Sequence, residues 1–543
     1  MVDLKGNPFF LSDAQEAWVL RTLNELTVEE KLHQLFCVLG DAYSEEELER
    51  LAKDGIGGVL FRPVHPASEI AAHFRALDGL ARVALLHASN LEEGGAGASS
   101  DGTFFANPMQ VAASCDPEDN VRFARCCAAE GAAAGVNWTF SPVSDLDLNP
   151  LNPITNCRTY GSDVEKVSAC TSRFVETVQQ SGMAACAKHF PGDGVDYRDQ
   201  HLHPTYNSLS AAEWWKTYGQ VYRGMIQKGL LSVMAGHICQ PALEMELAGS
   251  GPEEVLPGSL SRSLLTGVLR GQLHFNGVIA TDATIMGGYT MSMARREAIP
   301  ATLNAGADMI VFSTDIDEDI AYMRGALETG VLSIERVNEA LTRILALKAR
   351  VCGHVRANAI PAEAWKKECA EHSVTLVKDL DHLLPITPER FKRVRLMLLG
   401  QDHCWDGSIR EMIRMALEKR GFEVELYDPL ADDLHGTRAL SRDRLTLGIL
   451  HYPHASNQTT VRVCWCPKHA LEIPRFVHEE AVVFASLANP YHLQDVPRAR
   501  TFINCYSATR ATIAALVEKL CGESPFLGKS PSDPFCGLLD AKL

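Results

Sequence analysis

Residues 184–201, AACAKHFPGDGVDYRDQH, begin as a short apolar run, break at Pro191–Gly192 and pass into a loop crowded with ionisable side chains. The apolar half reads as a buried β-strand, because a run this short bounded by Pro and Gly suits a strand better than a helix. A polar loop on the end of such a strand is costly to order unless function needs it. Within it, Asp199-x-His201 puts a carboxylate beside an imidazole, a common way to orient the ring and set its proton affinity. A surface turn would also account for that pair.

Seven further β-rich runs fall at 35–39, 56–61, 83–86, 136–140, 230–234, 277–281 and 308–312. Helix-like segments lie between most of them, beginning near Pro117, Asp163 and Ala211, the second with an acidic N-terminus that suits the helix dipole. Eight strands alternating with helices predict a (β/α)8 TIM-like barrel. In such barrels the chemistry sits at the C-terminal ends of the strands. Asn90, Asp145, Lys188, His189, His237 and Asp282 all fall there, although polar residues follow strands in any protein.

Around 351–361 the periodic pattern stops. A second α/β block follows, with strands expected at 374–377, 394–399, 423–427, 447–450, 461–464, 481–487 and 501–504, and a last helix at 508–520. The expected organisation is therefore a barrel domain over residues 1–355, a linker over 356–370 and a C-terminal α/β sandwich over 371–543.

The 543 residues are too many for one core. A net charge of −17, with no basic face in view, argues against nucleic acid or an anionic membrane as partner. The N-terminus lacks the basic and apolar regions of a signal peptide, and no run is long enough for a membrane helix. Sixteen cysteines, several inside apolar elements (Cys126, Cys127, Cys186, Cys239), suit reduced thiols in a cytoplasmic protein. Cys464-x-Cys466 has no second pair at zinc-site distance, so neither a metal nor a cofactor is expected.

The second chemical motif is FNGVIATDATIMGG, residues 275–288. Val278, Ile279 and Ala280 read as a buried strand, and Asp282 follows at its end. Asp282 suits a helix N-cap if ATIMGGYT begins a helix, and it also suits a catalytic carboxylate.

Together, KHFPG and TDATIMGG resemble glycoside hydrolase family 3, and within it the β-N-acetylhexosaminidase branch. The resemblance extends through SPVSDLDLNPLNPITNCRTYGSD (from Ser141), SVMAGHICQP (from Ser232), LSRSLLTGVLRGQLHFNG (from Leu260) and KLCGESPFLGKSPSDPFCG (from Lys519). It implies retaining hydrolysis, in which Asp282 attacks the anomeric carbon and water then cleaves the glycosyl-enzyme. It also implies that His201, oriented by Asp199, is the acid/base. Lys188, His189 and Arg158 would bind sugar hydroxyls, though Arg158 could instead pin its loop through a salt bridge. Asp145 would orient Lys188 or Arg158, or touch sugar. His237 would line the pocket floor or be a satisfied core histidine, and Tyr160 and Met286 would form apolar wall.

Three features depart from the family pattern. The loop after the third strand, ASNLEEGGAGASSDGT, offers Asn90, Glu92 and Glu93 near the usual acidic position but no arginine, so the distal-hydroxyl clamp is altered. Asp193 replaces a second loop histidine. His203 stands close enough to His201 to compete as acid/base.

The resemblance implies an exo-acting β-N-acetylglucosaminidase working on small carbohydrates, fragments of peptidoglycan or chitin type. A β-glucosidase, β-xylosidase or N-acetylglucosaminide phosphorylase of the same family is the nearest alternative, and an inactive sugar-binding protein the alternative of another class. Phosphorolysis has a physical basis: a neutral imidazole repels an anionic acceptor less than a second carboxylate would.

Overall fold

The computed structural model describes residues 2–249, 251, 254–427, 444–454, 456–459, 461–465, 473, 477–478 and 480–543. They form two compact units. One comprises Met1–Phe105, Val121–Asn152 and Val164–Ile360; the other comprises Ala106–Asn120, Pro153–Asp163 and Pro361–Leu543.

The first unit is a closed barrel of eight parallel strands: β1 (Phe36–Leu39), β2 (Gly58–Leu60), β3 (Leu86–Ser89), β4 (Trp138–Thr139), β5 (Ala184–Phe190), β6 (Ser232–Ala235), β7 (Val278–Ala283) and β8 (Met309–Val311). Each strand pairs with its neighbours in sequence order. β1 closes the ring on β8 through Phe36↔Ile310 and Cys37↔Val311. Most of the strand residues are apolar because barrel strands are covered on both faces, by the filled interior and by the ring of helices.

The third strand begins three residues later than the apolar run at 83–86 implies. The Leu85 N–H is taken by Asp78 Oδ1 at 2.9 Å, and sheet pairing starts with the Leu86 N–H on Gly57 O at 3.0 Å. Buried apolar residues at 83 and 85 thus lie on the approach to the strand, while His87 and Ser89 are part of it. At the N-terminal end of β8, Asp308 binds Arg270 (2.6 Å), Arg336 (2.9 Å) and Arg343 (3.4 Å). That network braces the face of the barrel opposite the site.

The helix expected from Ala211 is two, Ala211–Lys216 and Tyr218–Gln227, broken at Thr217. The helix Pro241–Ala248 carries Glu244, which is buried and accepts the Ser261 hydroxyl on Oε1 at 2.6 Å. Its Oε2 has no hydrogen-bond partner among the described residues. Burial pushes this carboxyl up to about 7, against the pull of the Ser261 bond. The folded chain therefore holds the proton more tightly than the unfolded chain. Its stabilising contribution is complete below the ordinary value of 4.5, is lost as pH rises towards 7, and stays lost above. Glu244→Gln keeps the Ser261 bond and removes the charge. Thermal melts are expected to show the variant about 2 °C or more above the parent at pH 8 and level with it near pH 4.5; a variant equally or less stable at pH 8 contradicts this.

The second unit is built on a six-stranded mixed sheet: β9 (Thr375–Asp379), β10 (Arg393–Gly400), β11 (Glu423–Leu426), β12 (Arg444–His451), β13 (Ala481–Ser486) and β14 (Thr501–Asn504). The strand order is β9-β14-β13-β12-β10-β11, with only the β9–β14 pair antiparallel. One face buries Leu396, Leu398, Ile449 and Ile503 against Ile409, Ile413 and Leu417 of the helix Ile409–Glu418 and Ile513 and Leu516 of the helix Arg510–Leu520. Residues 461–465 form no strand. Val461 O and Val463 N–H bond instead to the side chains of Asn489 and Asp495. Much of the stretch read as a linker, 356–370, is helical, since Ala362–Ser373 begins within it.

Two short segments that sit between barrel strands in sequence belong to this second unit. The helix Pro108–Ala113 buries Met109 and Ala113 with Cys157, Ala488 and Tyr506. Gln110 Nε2 donates to Ser373 Oγ and Thr512 Oγ1, both at 3.0 Å. No helix among the described residues is long and apolar enough to cross a membrane.

Candidate active site

Lys188 and His189 lie near the C-terminal end of β5, and the peptide between them is cis. The Lys188 ammonium is buried, within 2.9 Å of Asn90 Oδ1 and 2.5 Å of Glu92 Oε1, both on the loop after β3. An ammonium has three N–H donors, so one remains for a ligand. The acidic loop without an arginine thus neutralises and aims the lysine. Glu92 takes a role that the sequence left open among three residues.

His189 donates Nδ1–H to Asp145 Oδ2 at 2.7 Å, and its own main-chain N–H to Asp145 Oδ1 at 3.1 Å. Asp145 also accepts the Asp193 N–H at 2.8 Å. A carboxylate with three bonds of this kind is a positioning group for the ring and the loop, and it spends none of them on Lys188. With Nδ1 committed, His189 turns Nε2 towards Asp282 Oδ2, 3.8 Å away.

Asp282 lies near the end of β7, its side chain 14% exposed, and accepts the Ala283 N–H on Oδ1 at 2.7 Å. Burial pushes its carboxyl up, but the imidazoles of His189, His237 and His201, in that order, outweigh this and hold it below its ordinary value. The N-cap of the following helix, Gly287–Thr290, is Met286. Helix capping therefore does not explain Asp282. Met286 is buried just beyond it.

His201 donates Nδ1–H to Asp199 Oδ1 at 2.7 Å, and Asp199 is buried while the imidazole is one quarter exposed. This fixes the tautomer and leaves Nε2 available for proton transfer. Among the described residues His203 contributes its main-chain N–H, to Asp199 O at 3.2 Å, and the carboxylate-supported ring is that of His201.

His237 is fully buried, and both ring nitrogens are used. Nε2–H donates to Ala283 O at 3.0 Å and Nδ1 accepts the Ser259 hydroxyl at 2.9 Å. Burial lowers its proton affinity, against the pull of Asp282. Of its two sequence readings, the satisfied core histidine describes it, with the added task of holding the main chain beside Asp282. Arg158 lies on the segment 153–163 of the second unit, in a short turn where Nη1 donates to Ile154 O at 3.4 Å. Tyr160, on the same segment, is buried.

Two residues outside the sequence reading complete the site. Asn152 Nδ2 donates to Asp193 Oδ1 and to Asp196 O, both at 2.9 Å. Gln200 is buried between Asp199 and His201. A polar side chain inside a catalytic motif was the available signal for Gln200; nothing in NPLNP marks Asn152. Asp193 is buried against Asp145, and burial first, then Asp145, pushes its carboxyl up to about 6. Its position shows why it is tolerated: Asn152 and the Gly194 N–H (2.7 Å) both donate to it.

Among the described residues, one group of ligand atoms converges closely enough for an ion: Asp116, Asp119 and His372, in the second unit. There His372 Nδ1 is already bonded to Asp119 at 2.9 Å. Cys466, of the Cys464-x-Cys466 pair, lies outside the described residues.

The arrangement is a largely buried carboxylate at one strand end, 3.8 Å from the His189 ring, together with a loop imidazole, that of His201, backed by a second carboxylate. That is the equipment for attack at carbon with proton transfer to a leaving group. The chain is 40% identical, over the full length of both, to a β-N-acetylglucosaminidase/β-glucosidase of Cellulomonas fimi. It superposes on the β-glucoside phosphorylase BglX with a TM-score of 0.93, 40% identity and 99% of each chain covered. The fold is also that of a family 3 β-N-acetylglucosaminidase from Paenibacillus, at a TM-score of 0.80 and 23% identity, covering 94% of this chain and all of the other. Residues 27–347 match the N-terminal domain of glycosyl hydrolase family 3, and the chain belongs to that family.

Proposed function

We propose that the protein cleaves terminal β-linked N-acetylglucosamine or glucose from small intracellular glycans with retention of configuration. Asp282 is the nucleophile and His201, oriented by Asp199, the acid/base. Lys188 and His189 hold sugar hydroxyls at the end of β5. The observation that carries this reading is the joining of the two motifs: His201 O accepts the Gly287 N–H at 2.8 Å and Gln200 O the Gly288 N–H at 3.1 Å. The proton-handling loop is thereby fastened to the segment that follows Asp282. The name of the Cellulomonas relative, which pairs the two sugars, supports the substrate class.

In the first step Asp282 attacks the anomeric carbon while the His201 imidazolium gives its proton to the departing oxygen. In the second the neutral imidazole assists the acceptor, and the bond to Asp282 breaks. Phosphate is the second reading for that acceptor, favoured by full-length similarity to a β-glucoside phosphorylase. An acid/base that is uncharged when the acceptor arrives suits an anion better than a carboxylate does.

Product analysis tests both. p-Nitrophenyl β-glycosides of N-acetylglucosamine, glucose and xylose are incubated with and without inorganic phosphate. A sugar phosphate formed only with phosphate supports phosphorolysis, free sugar at an unchanged rate supports hydrolysis, and no turnover on any of them overturns the enzymatic reading.

A further inference from the structure

His201 and Asp199 sit on a stretch, 191–204, that has neither strand nor helix. Acid catalysis needs the imidazole within hydrogen-bond reach of the leaving oxygen, so such a stretch requires an anchor. Gln200, between the two, is fully buried. Its Oε1 accepts the His237 N–H at 2.7 Å, and its Nε2 faces Asp193 Oδ2 at 3.4 Å. Its main-chain oxygen takes the Gly288 N–H.

Glycine main chain packs closely around this part of the loop. A Cβ on Gly236 would lie 3.0 Å from Gln200 Oε1, and one on Gly288 would lie 2.6 Å from Gln200 O and 2.6 Å from His237 Cβ. A Cβ on Gly287 would lie 2.2 Å from Leu202 O. Gln200 therefore touches three separate pieces of the barrel face: the turn after β6, the turn after β7, and the start of its own loop at Asp193. Asp193 is in turn bonded through its N–H to Asp145, the carboxylate that aims His189.

We infer that Gln200 is the positioning residue of the acid/base, its side chain fixing the Asp199–His201 pair relative to Asp282 through Asp193 and the His237 main chain. The inference rests on the assignment of His201 as acid/base. It gives Asp193 a purpose as well: a buried acceptor that faces the Gln200 amide and ties the loop to Asp145. Alanine at 200 keeps the main-chain bond to Gly288 but deletes both side-chain contacts. Misplacement of a catalytic group by about 1 Å costs up to about 100-fold.

The test compares kcat/KM, which reports the first step, for Gln200→Ala, Gly288→Ala, His201→Ala and the parent. Two β-glycosides of the sugar the parent turns over are used, one with a dinitrophenyl group that leaves without a proton and one with an alkyl group that needs it. Gln200→Ala and Gly288→Ala are expected to lose about 10- to 100-fold on the alkyl glycoside and no more than about threefold on the dinitrophenyl one. Equal losses on both substrates indicate general damage to the site and overturn the inference, as does no loss on either. If His201→Ala discriminates between the leaving groups and Gln200→Ala does not, only the inference falls. If His201→Ala itself does not discriminate, the acid/base assignment falls with it.

Discussion

Asp282→Ala is expected to lower kcat/KM by about 10⁴-fold or more on every β-glycoside the parent accepts, because the atom that displaces the leaving group is gone. The setting of Asp282 makes the loss specific to chemistry. Its Oδ1 accepts only a local N–H, from Ala283, and Oδ2 faces His189 Nε2 across 3.8 Å, so little of the fold depends on the carboxylate. The variant is expected to melt with the parent and to bind the sugar. Removing a buried charge from among His189, His237 and His201 also ends the electrostatic attraction that it has for these rings. Small anions offer a second readout. Azide entering the space left by the carboxylate attacks from the same side and yields a glycosyl azide of opposite anomeric configuration. A variant retaining more than a few per cent of parental turnover, or an azide product of unchanged configuration, rules against Asp282 as nucleophile.

The second large effect concerns His201. A positioned general acid contributes about 10²- to 10⁴-fold, and only when the leaving oxygen needs a proton. His201→Ala is therefore expected to lose that much on alkyl β-glycosides and almost nothing on dinitrophenyl ones in kcat/KM. His203→Ala serves as the control, since its ring is not the one bonded to the buried Asp199 carboxylate. If the His203 variant carries the leaving-group dependence and the His201 variant does not, the two assignments exchange. Asp199→Asn keeps the shape of the pair but replaces the carboxylate that accepts Nδ1–H by an amide. The expected result is a smaller loss in the same direction, read as a shift in the leaving-group dependence of kcat/KM.

The barrel was legible because its strands are short apolar runs between amphipathic helices, and because residues at their C-terminal ends are conspicuously polar. Lys188, His189 and Asp282 could be placed for that reason. The third strand was not legible at its true position. Leu86–Ser89 includes His and Ser, whereas the more apolar residues before it lie outside the sheet. Residues 461–465 misled in the opposite direction: β-branched valines there satisfy their main chain through Asn489 and Asp495 instead of a sheet.

The membership of 106–120 and 153–163 in the second unit depends on contacts distant in sequence, such as Gln110 with Ser373 and Thr512. Local pattern carries no trace of these. In the site, residues with chemical side chains stood out, while those that position them did not. Gln200 and Asn152 are ordinary amides until the fold surrounds them with Asp193 and the His237 N–H. The two readings of His237 are separated only by the hydrogen bonds of its ring nitrogens, and Asp145 holds His189, a partner that the sequence did not suggest.

Trapping the covalent intermediate identifies the nucleophile. A fluorinated β-glycoside with a good leaving group forms the glycosyl-enzyme faster than the fluorine allows it to break down. Mass analysis of the digested protein is expected to find one sugar per chain, carried by the peptide that contains Asp282. Labelling of Glu92, Asp193 or Asp145 instead, or full turnover of the parent substrate with no adduct on any carboxylate, contradicts the account.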